Sequence, residues 1–587
     1  MPPLARWYLG GLLPRQWIPR VIRRIRERDQ KDGSGDDRAS LEGEGLLGSD
    51  HGNEGEDRGR SRASCANMVK GHLTGSALRG TIAAVCGVAF LLFGYDQGVL
   101  GAVIGLPSFR KEFNEPNRNL EGIIAGIYDI GCFLGAIVAF LTADRFGRKG
   151  SIMWGSWIMV VGTILQTSAT ENVQMILSRT ITGIGNGINT VNVPIWQAES
   201  FKSNNRGVSM VESSTDPSCA DIEKAMLVIQ SALIAFGHPL STFMGLASSQ
   251  ADPSSFAWRW PIAFQGFFLI IILCMLPFLP ESPRWLVQHD RVEEATEVFA
   301  RLEGKGATMN DDKVIRERDM VVASVQKERE LGEASWGEVF SEGKNRNISR
   351  VLLGAGPYMF NQWSGINSLA YFLPITFERN IGLSSELSLV IAGVLGLQYF
   401  LVSWLPYFFI EKAGRRKVMI LSAAGCSFCM VMISIMLKVN TIVSQWVFVA
   451  FCFLFFDIFS WGILPVSWMY ASEIMPLRTR NKGVALGVGS HWLSNFVVVY
   501  VTPNAIDNLG YKLYIIWAVL NASFVPITWL FYPETARRSL EDMDRVFEVE
   551  RFGLTKTRRP GPKKIDGEAE EGGYGADASK LDGVMIS

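Results

Sequence analysis

The chain has 587 residues, 48% of them hydrophobic and only 19% charged, with 17 Trp and 35 Phe. Soluble domains carry nearer a quarter charged residues, so this balance argues for a chain held largely in a bilayer. Formal net charge is zero, which removes the electrostatic case for a nucleic-acid partner.

Residues 1–76 are mostly polar, with basic residues clustered at 20–28 and Gly/Asp/Glu/Ser-rich sequence behind them. They read as a cytoplasmic, largely disordered tail without a cleavable signal peptide. Twelve apolar stretches follow, near 80–105, 122–142, 151–169, 173–195, 226–247, 261–279, 350–376, 386–410, 417–438, 446–471, 483–503 and 513–532. Each reaches the roughly 20 residues needed to cross a bilayer. Hydrocarbon offers backbone polar groups no partner, so each must be a helix. Basic residues orient the bundle: Arg145, Arg148, Lys149, Arg206, Lys412, Arg415, Arg416, Arg478, Arg480 and Lys482 fall in loops on one side. The positive-inside rule makes that side, and both termini, cytoplasmic. Residues 284–349 are expected to form a charged cytoplasmic linker, helical over 292–302, and 536–587 a cytoplasmic tail.

One layout occurs twice. In the first half DRFGRK at 144–149 is followed by Glu199 with Arg206 seven residues on, then by PESP at 280–283. In the second half EKAGRR at 411–416 is followed by Glu473 with Arg480, then by PET at 533–535. The expected fold is an all-α membrane protein of twelve transmembrane helices in two pseudo-symmetric six-helix bundles, 77–283 and 350–535. Secondary transporters are built from such duplicated units, with substrate held between the halves. The first half carries about 20 extra residues between Glu199 and Pro280, and the polar, Pro217-containing stretch 211–227 is suspected to be an insert at the start of the fifth helix.

Asp96 lies in the middle of the first apolar stretch, where an ionisable group is costly unless paired and marks an ion or substrate path. Arg179, near the start of the fourth, is its candidate partner. The seventh span holds Gln362, Gly365, Asn367 and Tyr371. Amides donate and accept, which suits a ligand covered in hydroxyls. Gln362 and Asn367 share one cavity only if Gly365 loosens the helix. Trp468 offers an apolar plate for a sugar ring, or is an ordinary packing residue. Asp144, Arg145, Arg148, Glu199 and Arg206 in one half answer Glu411, Arg415, Arg416, Glu473 and Arg480 in the other. Such sets can act as an inner gate of salt bridges biasing a two-state equilibrium. Cys426 and Cys429 lack a second pair, so no metal site is expected. No cofactor is implied, and no nucleophile elbow or nucleotide loop suggests an enzyme.

These motifs, with GYDQGV at 94–99, RTITGIGNG at 179–187, WRWPIAFQ at 258–265, NQWSGIN at 361–367 and SEIMPLRTRNKG at 472–483, resemble the sugar porter family of the major facilitator superfamily over roughly 75–550. The resemblance implies an alternating-access carrier for a monosaccharide or polyol, functional as a monomer. It implies substrate contacts at Gln230, Asn361, Gln362, Asn367, Trp468 and Trp492. It also implies proton symport through Asp96, since facilitators often carry Asn there. Departures are Asn361 in place of a Gln, Tyr399 at the helix-eight amide position and His491 before Trp492. A plasma-membrane proton symporter is the expectation. A facilitator without coupling and a non-transporting sugar receptor are the alternatives.

Overall fold

A spanning segment buried in lipid has little alternative to helix. In the computed structural model, which describes residues 73–201, 218–304, 306–332, 334–343, 346–536, 538 and 540–549, helices are the sole regular structure among the described residues. Eight of them are long and apolar enough to cross a membrane. In the first half these are α1 (Gly75–Val103), α2 (Arg118–Thr167) and α5 (Phe256–Met275). Helix α2 carries two spans, because Gly147 (φ 78°, ψ 171°) breaks it where DRFGRK turns the chain back. Between α2 and α5 lie α3 (Asn172–Phe201) and α4 (Ser218–Ser249). The linker contains α6 (Val292–Glu303) and α7 (Asp312–Leu331). Ala295, Val298, Phe299 and Leu302 of α6 are buried at the three-and-four spacing of an amphipathic helix.

The second half opens with a broken span: α8 (Asn347–Trp363), α9 (Ile366–Ala370) and α10 (Leu373–Thr376). Then come α11 (Ser385–Val402), α12 (Pro406–Ala413), α13 (Arg415–Val439), α14 (Ile442–Trp461), α15 (Ile463–Ile474), α16 (Arg480–Leu509) and α17 (Lys512–Phe531). Gly414 (φ 87°) separates α12 from α13 as Gly147 divides α2.

Several boundaries differ from expectation. The first span begins at Gly75 and the seventh at Asn347. The backbone of α4 is helical from Ser218, so its 32 residues, about 48 Å, include 218–227 of the suspected stretch in one continuous helix. Residues 211–217, and Arg206, lie outside the described residues. The C-terminal tail is helical at its start: α18 (Leu540–Val549) buries Met543 and Phe547. Asp544 accepts from Arg350 Nη1 at 2.5 Å, and that guanidinium lies 4.4 Å from the Phe547 ring centroid. Residues beyond 549 lie outside the described residues.

The end bearing Gly147 and Gly414 is here named inner, following the positive-inside expectation. At the opposite, outer end the halves are fastened to each other. Gly122 and Gly126 of α2 pack against Tyr500 and Phe496 of α16, where a Cβ would strike their atoms. Asp507 receives Arg118 of the first half and, at 3.2 Å, Arg379 of the second. Gly101 abuts the Tyr371 carbonyl, and Gln250 donates to Glu386 at 3.2 Å.

Candidate functional site

Glycines bring α3 onto α2: a Cβ on Gly187 would lie 2.8 Å from Cys132 Cα. That close approach sets Arg179 beside Tyr128 and Asp129. Asp96 of α1 is 1% exposed and accepts from Tyr128 Oη at 3.2 Å. The Arg179 guanidinium sits 5.1 Å from the Tyr128 ring centroid, a cation–π distance, and its Nη2 donates to the Ala125 carbonyl at 3.3 Å. Asp96 and Arg179 therefore form no direct ion pair among the described residues. The phenol stands between them, touching both: α2 packs along α3, and Tyr128 reaches from it to Asp96 of α1. The expected partnership is indirect.

The second half supplies amides. Helix α8 ends at Trp363, and Gly365 (φ 86°) takes a left-handed conformation that starts α9 afresh. The break leaves the Ser364 carbonyl without a helical partner, and buried Asn521 of α17 donates to it at 2.9 Å. The turn folds Asn367 back so that its Nδ2 donates to Gln362 Oε1 at 2.8 Å. Gln362 Nε2 meets Asn361 Oδ1 at 3.2 Å and a ring nitrogen of His491 at 3.1 Å, and Asn361 Nδ2 donates to Ser467 Oγ at 3.4 Å. Trp468 is half-buried and packs edge-on to Tyr358 (centroids 5.3 Å apart) and tilted against His491 (5.2 Å). Trp492 is fully buried, between His491 and Phe93 of the first half. Gln230 stands apart from this cluster and bonds Gln197 of α3 at 2.6 Å. Tyr399 packs on Phe456 while its neighbour Gln398 bonds Asp457 at 2.6 Å.

Two functional candidates were missed in the sequence. Asp129, fully buried in α2, accepts from Asn495 Nδ2 of α16 at 2.9 Å, and Asn495 Oδ1 accepts from Asn367 Nδ2 at 2.7 Å. Asp129 carries the same signal as Asp96, a carboxylate within an apolar run. Asn495 lies one helical turn beyond His491. Between them they tie the carboxylates of one half to the amides of the other.

The inner clusters repeat in each half. Arg148 Nε lies 3.4 Å from Glu199 and its Nη1 lies 3.1 Å from Asp144; Glu199 also accepts from Ser282 Oγ at 2.6 Å. Glu281 accepts the backbone N–H groups of Arg148 and Lys149, each at 3.0 Å. Correspondingly, Arg415 Nη2 lies 2.9 Å from Glu473 and 2.6 Å from Glu411, and Thr535 Oγ1 donates to Glu473 at 2.6 Å. Glu534 accepts the N–H groups of Arg415 and Arg416 at 2.8 and 3.2 Å. Every one of these bonds stays within one half. Arg416 sends its guanidinium to the Trp529 carbonyl, and Arg480 opens α16. Arg145 is exposed and outside the cluster, contrary to expectation, because it is turned about 100° from Asp144 on the helix.

A family model described as sugar (and other) transporter matches residues 80–547. The MFS-type transporter oryC of Aspergillus oryzae is 39% identical over 486 residues, spanning 81% of this chain and 86% of that one. The sugar transporter STL1 of Saccharomyces cerevisiae is 34% identical over 490 residues, spanning 81% and 82%. The solved proton:xylose symporter XylE of E. coli, bound to 6-bromo-6-deoxy-D-glucose, has the same fold, with a TM-score of 0.65 at 21% identity over 81% of this chain and all of that one.

Proposed function

The chain belongs to the family of sugar (and other) transporters, multi-pass membrane proteins of the major facilitator fold, and from that premise we propose that it carries a monosaccharide or polyol into the cell with a proton. The carrier works as a monomer in the plasma membrane, both termini in the cytoplasm. Substrate binds Asn361, Gln362 and Asn367 against Trp468, with Trp492 and Gln230 at the edges of the site. Asp96 takes a proton from outside, which removes a charge from bilayer depth before the halves rock. Arg179 favours the ionised form once the site opens inward, so proton and substrate leave together. The mirrored clusters around Glu199 and Glu473 bias which side is open.

The observation that carries this reading is the meeting of a buried carboxylate site in one half with a buried amide cluster in the other, at the seam between halves. Uptake of radiolabelled sugars and polyols by a hexose-transport-deficient host, with and without a proton uncoupler, tests it. Concentrative uptake should vanish with the uncoupler and in Asp96→Asn. Uphill uptake that persists in Asp96→Asn would remove Asp96 from coupling. Uptake that only equilibrates would leave a facilitator, and none at all would favour a receptor.

A further inference from the structure

Asp129 is buried at mid-span with half of its hydrogen-bonding capacity unused. Its Oδ1 takes the Asn495 N–H, while Oδ2 has no hydrogen-bond partner among the described residues. A half-satisfied carboxylate in a low-dielectric interior demands an explanation. Arg179 is the cation within electrostatic reach, and it acts on both Asp96 and Asp129. Its Nε is likewise buried without a partner. One guanidinium between two carboxylates leaves the group neutral only when one of the two carries a proton. Beside Arg179 lies a void of about 10 Å³, lined also by Gln97, Ala125 and Tyr371, with room for about one water.

We propose that Asp129 is a second proton-binding carboxylate, and that Asn495 is the positioning residue through which its protonation decides what Asn367 offers the substrate. This rests on the proton-coupled reading above and deepens it. Ionised Asp129 can only accept, so Asn495 must turn its NH2 toward it and its carbonyl toward Asn367. Asn367 then spends an N–H on Asn495, as observed at 2.7 Å. Protonated Asp129 can donate its O–H to the Asn495 carbonyl. The Asn495 amide turns over and presents its NH2 to Asn367, whose own amide turns with it to accept; the Asn367 N–H groups leave Asn495 and Gln362 Oε1 and are freed for a substrate hydroxyl. One O–H bond forms on one side of the membrane and breaks on the other; nothing else is made or broken. The groups facing Asp129 are Arg179 from α3, Tyr371 from the seventh span, Asn495 from α16, and Cys132 from its own helix. Asp96 of α1 is linked through Tyr128.

The test uses the full chain in proteoliposomes and equilibrium exchange of radiolabelled D-xylose or D-glucitol, with equal pH on both faces. In the wild type the half-saturation concentration should rise about fivefold from mildly acid to mildly alkaline pH, the factor set by one hydrogen bond. Asp129→Asn keeps an acceptor oxygen for Asn495 but cannot ionise, and should flatten that dependence whatever its effect on maximal rate. Asp129→Glu should restore it. Asn495→Ser leaves the carboxylate in place and should flatten it too, which decides the matter if Asp129→Asn fails to fold. A wild-type pH profile in either variant, beside a wild type that couples, overturns this inference alone. A wild type that accumulates neither probe against a gradient overturns the proton-coupled reading, and this inference with it.

Discussion

Replacing Gly365 by Ala strains the turn on which the amide cluster depends. At φ 86° a residue with a Cβ pays about 1–2 kcal/mol. The added methyl would lie 2.7 Å from Trp517 Cγ and 3.0 Å from Cδ1 and Cδ2, an overlap worth about 1–3 kcal/mol. Together these make about 2–5 kcal/mol. Retreat of α17 as a whole is opposed by Asn521, which donates to the Ser364 carbonyl at 2.9 Å. The strain can be relieved by straightening the turn into regular helix, which would rotate Asn367 to about 140° from Gln362 and break their 2.8 Å bond. Purified Gly365→Ala should therefore unfold at lower temperature and show a raised half-saturation concentration for substrate. A variant with both quantities unchanged would refute the claim that the left-handed turn shapes the site.

Three other outcomes are expected. Arg415→Ala removes one partner of a largely buried pair and should destabilise by about 3 kcal/mol. Arg148→Ala should lose less, because its Glu199 contact is longer and its Asp144 partner is 82% exposed; thermal unfolding of both variants gives the order. His491→Asn gives up ring contacts with Trp468 and Trp492 worth about 0.5–1.5 kcal/mol, so half-saturation should rise roughly threefold to tenfold with the pH profile kept. A flattened profile would instead put His491 on the proton path. Asp507→Ala unfastens Arg118 and Arg379 at the outer end, about 1 kcal/mol of exposed ion pairing. The rate at which an impermeant maleimide labels Gln97→Cys from outside should then rise roughly fivefold. An unchanged rate would mean that the ion pairs do not hold the outer side closed.

Properties carried by one segment were readable from the sequence. Apolar length marked the spans, the repeated Gly147 and Gly414 turns marked the duplication, and a charge in an apolar run marked Asp96. Properties that depend on how two helices meet were not. The place of Tyr128 between Asp96 and Arg179 follows from the glycine-mediated register of α2 on α3, which no single stretch encodes. Arg118, a basic residue at the outer end, is another such case. In the folded chain it bonds Glu121 at 2.7 Å and reaches across to Asp507. Asp129 is different in kind: its signal was as plain as that of Asp96, but its significance depends on Asn495, 366 residues away.

Proton-coupled carriage by two halves sharing one buried site is tested most directly in proteoliposomes with a pH-sensitive dye inside. Adding substrate outside, with no imposed gradient, should acidify the interior as label enters, and Asp96→Asn should abolish the acidification. Label entering the wild type with the internal pH unmoved would contradict coupling.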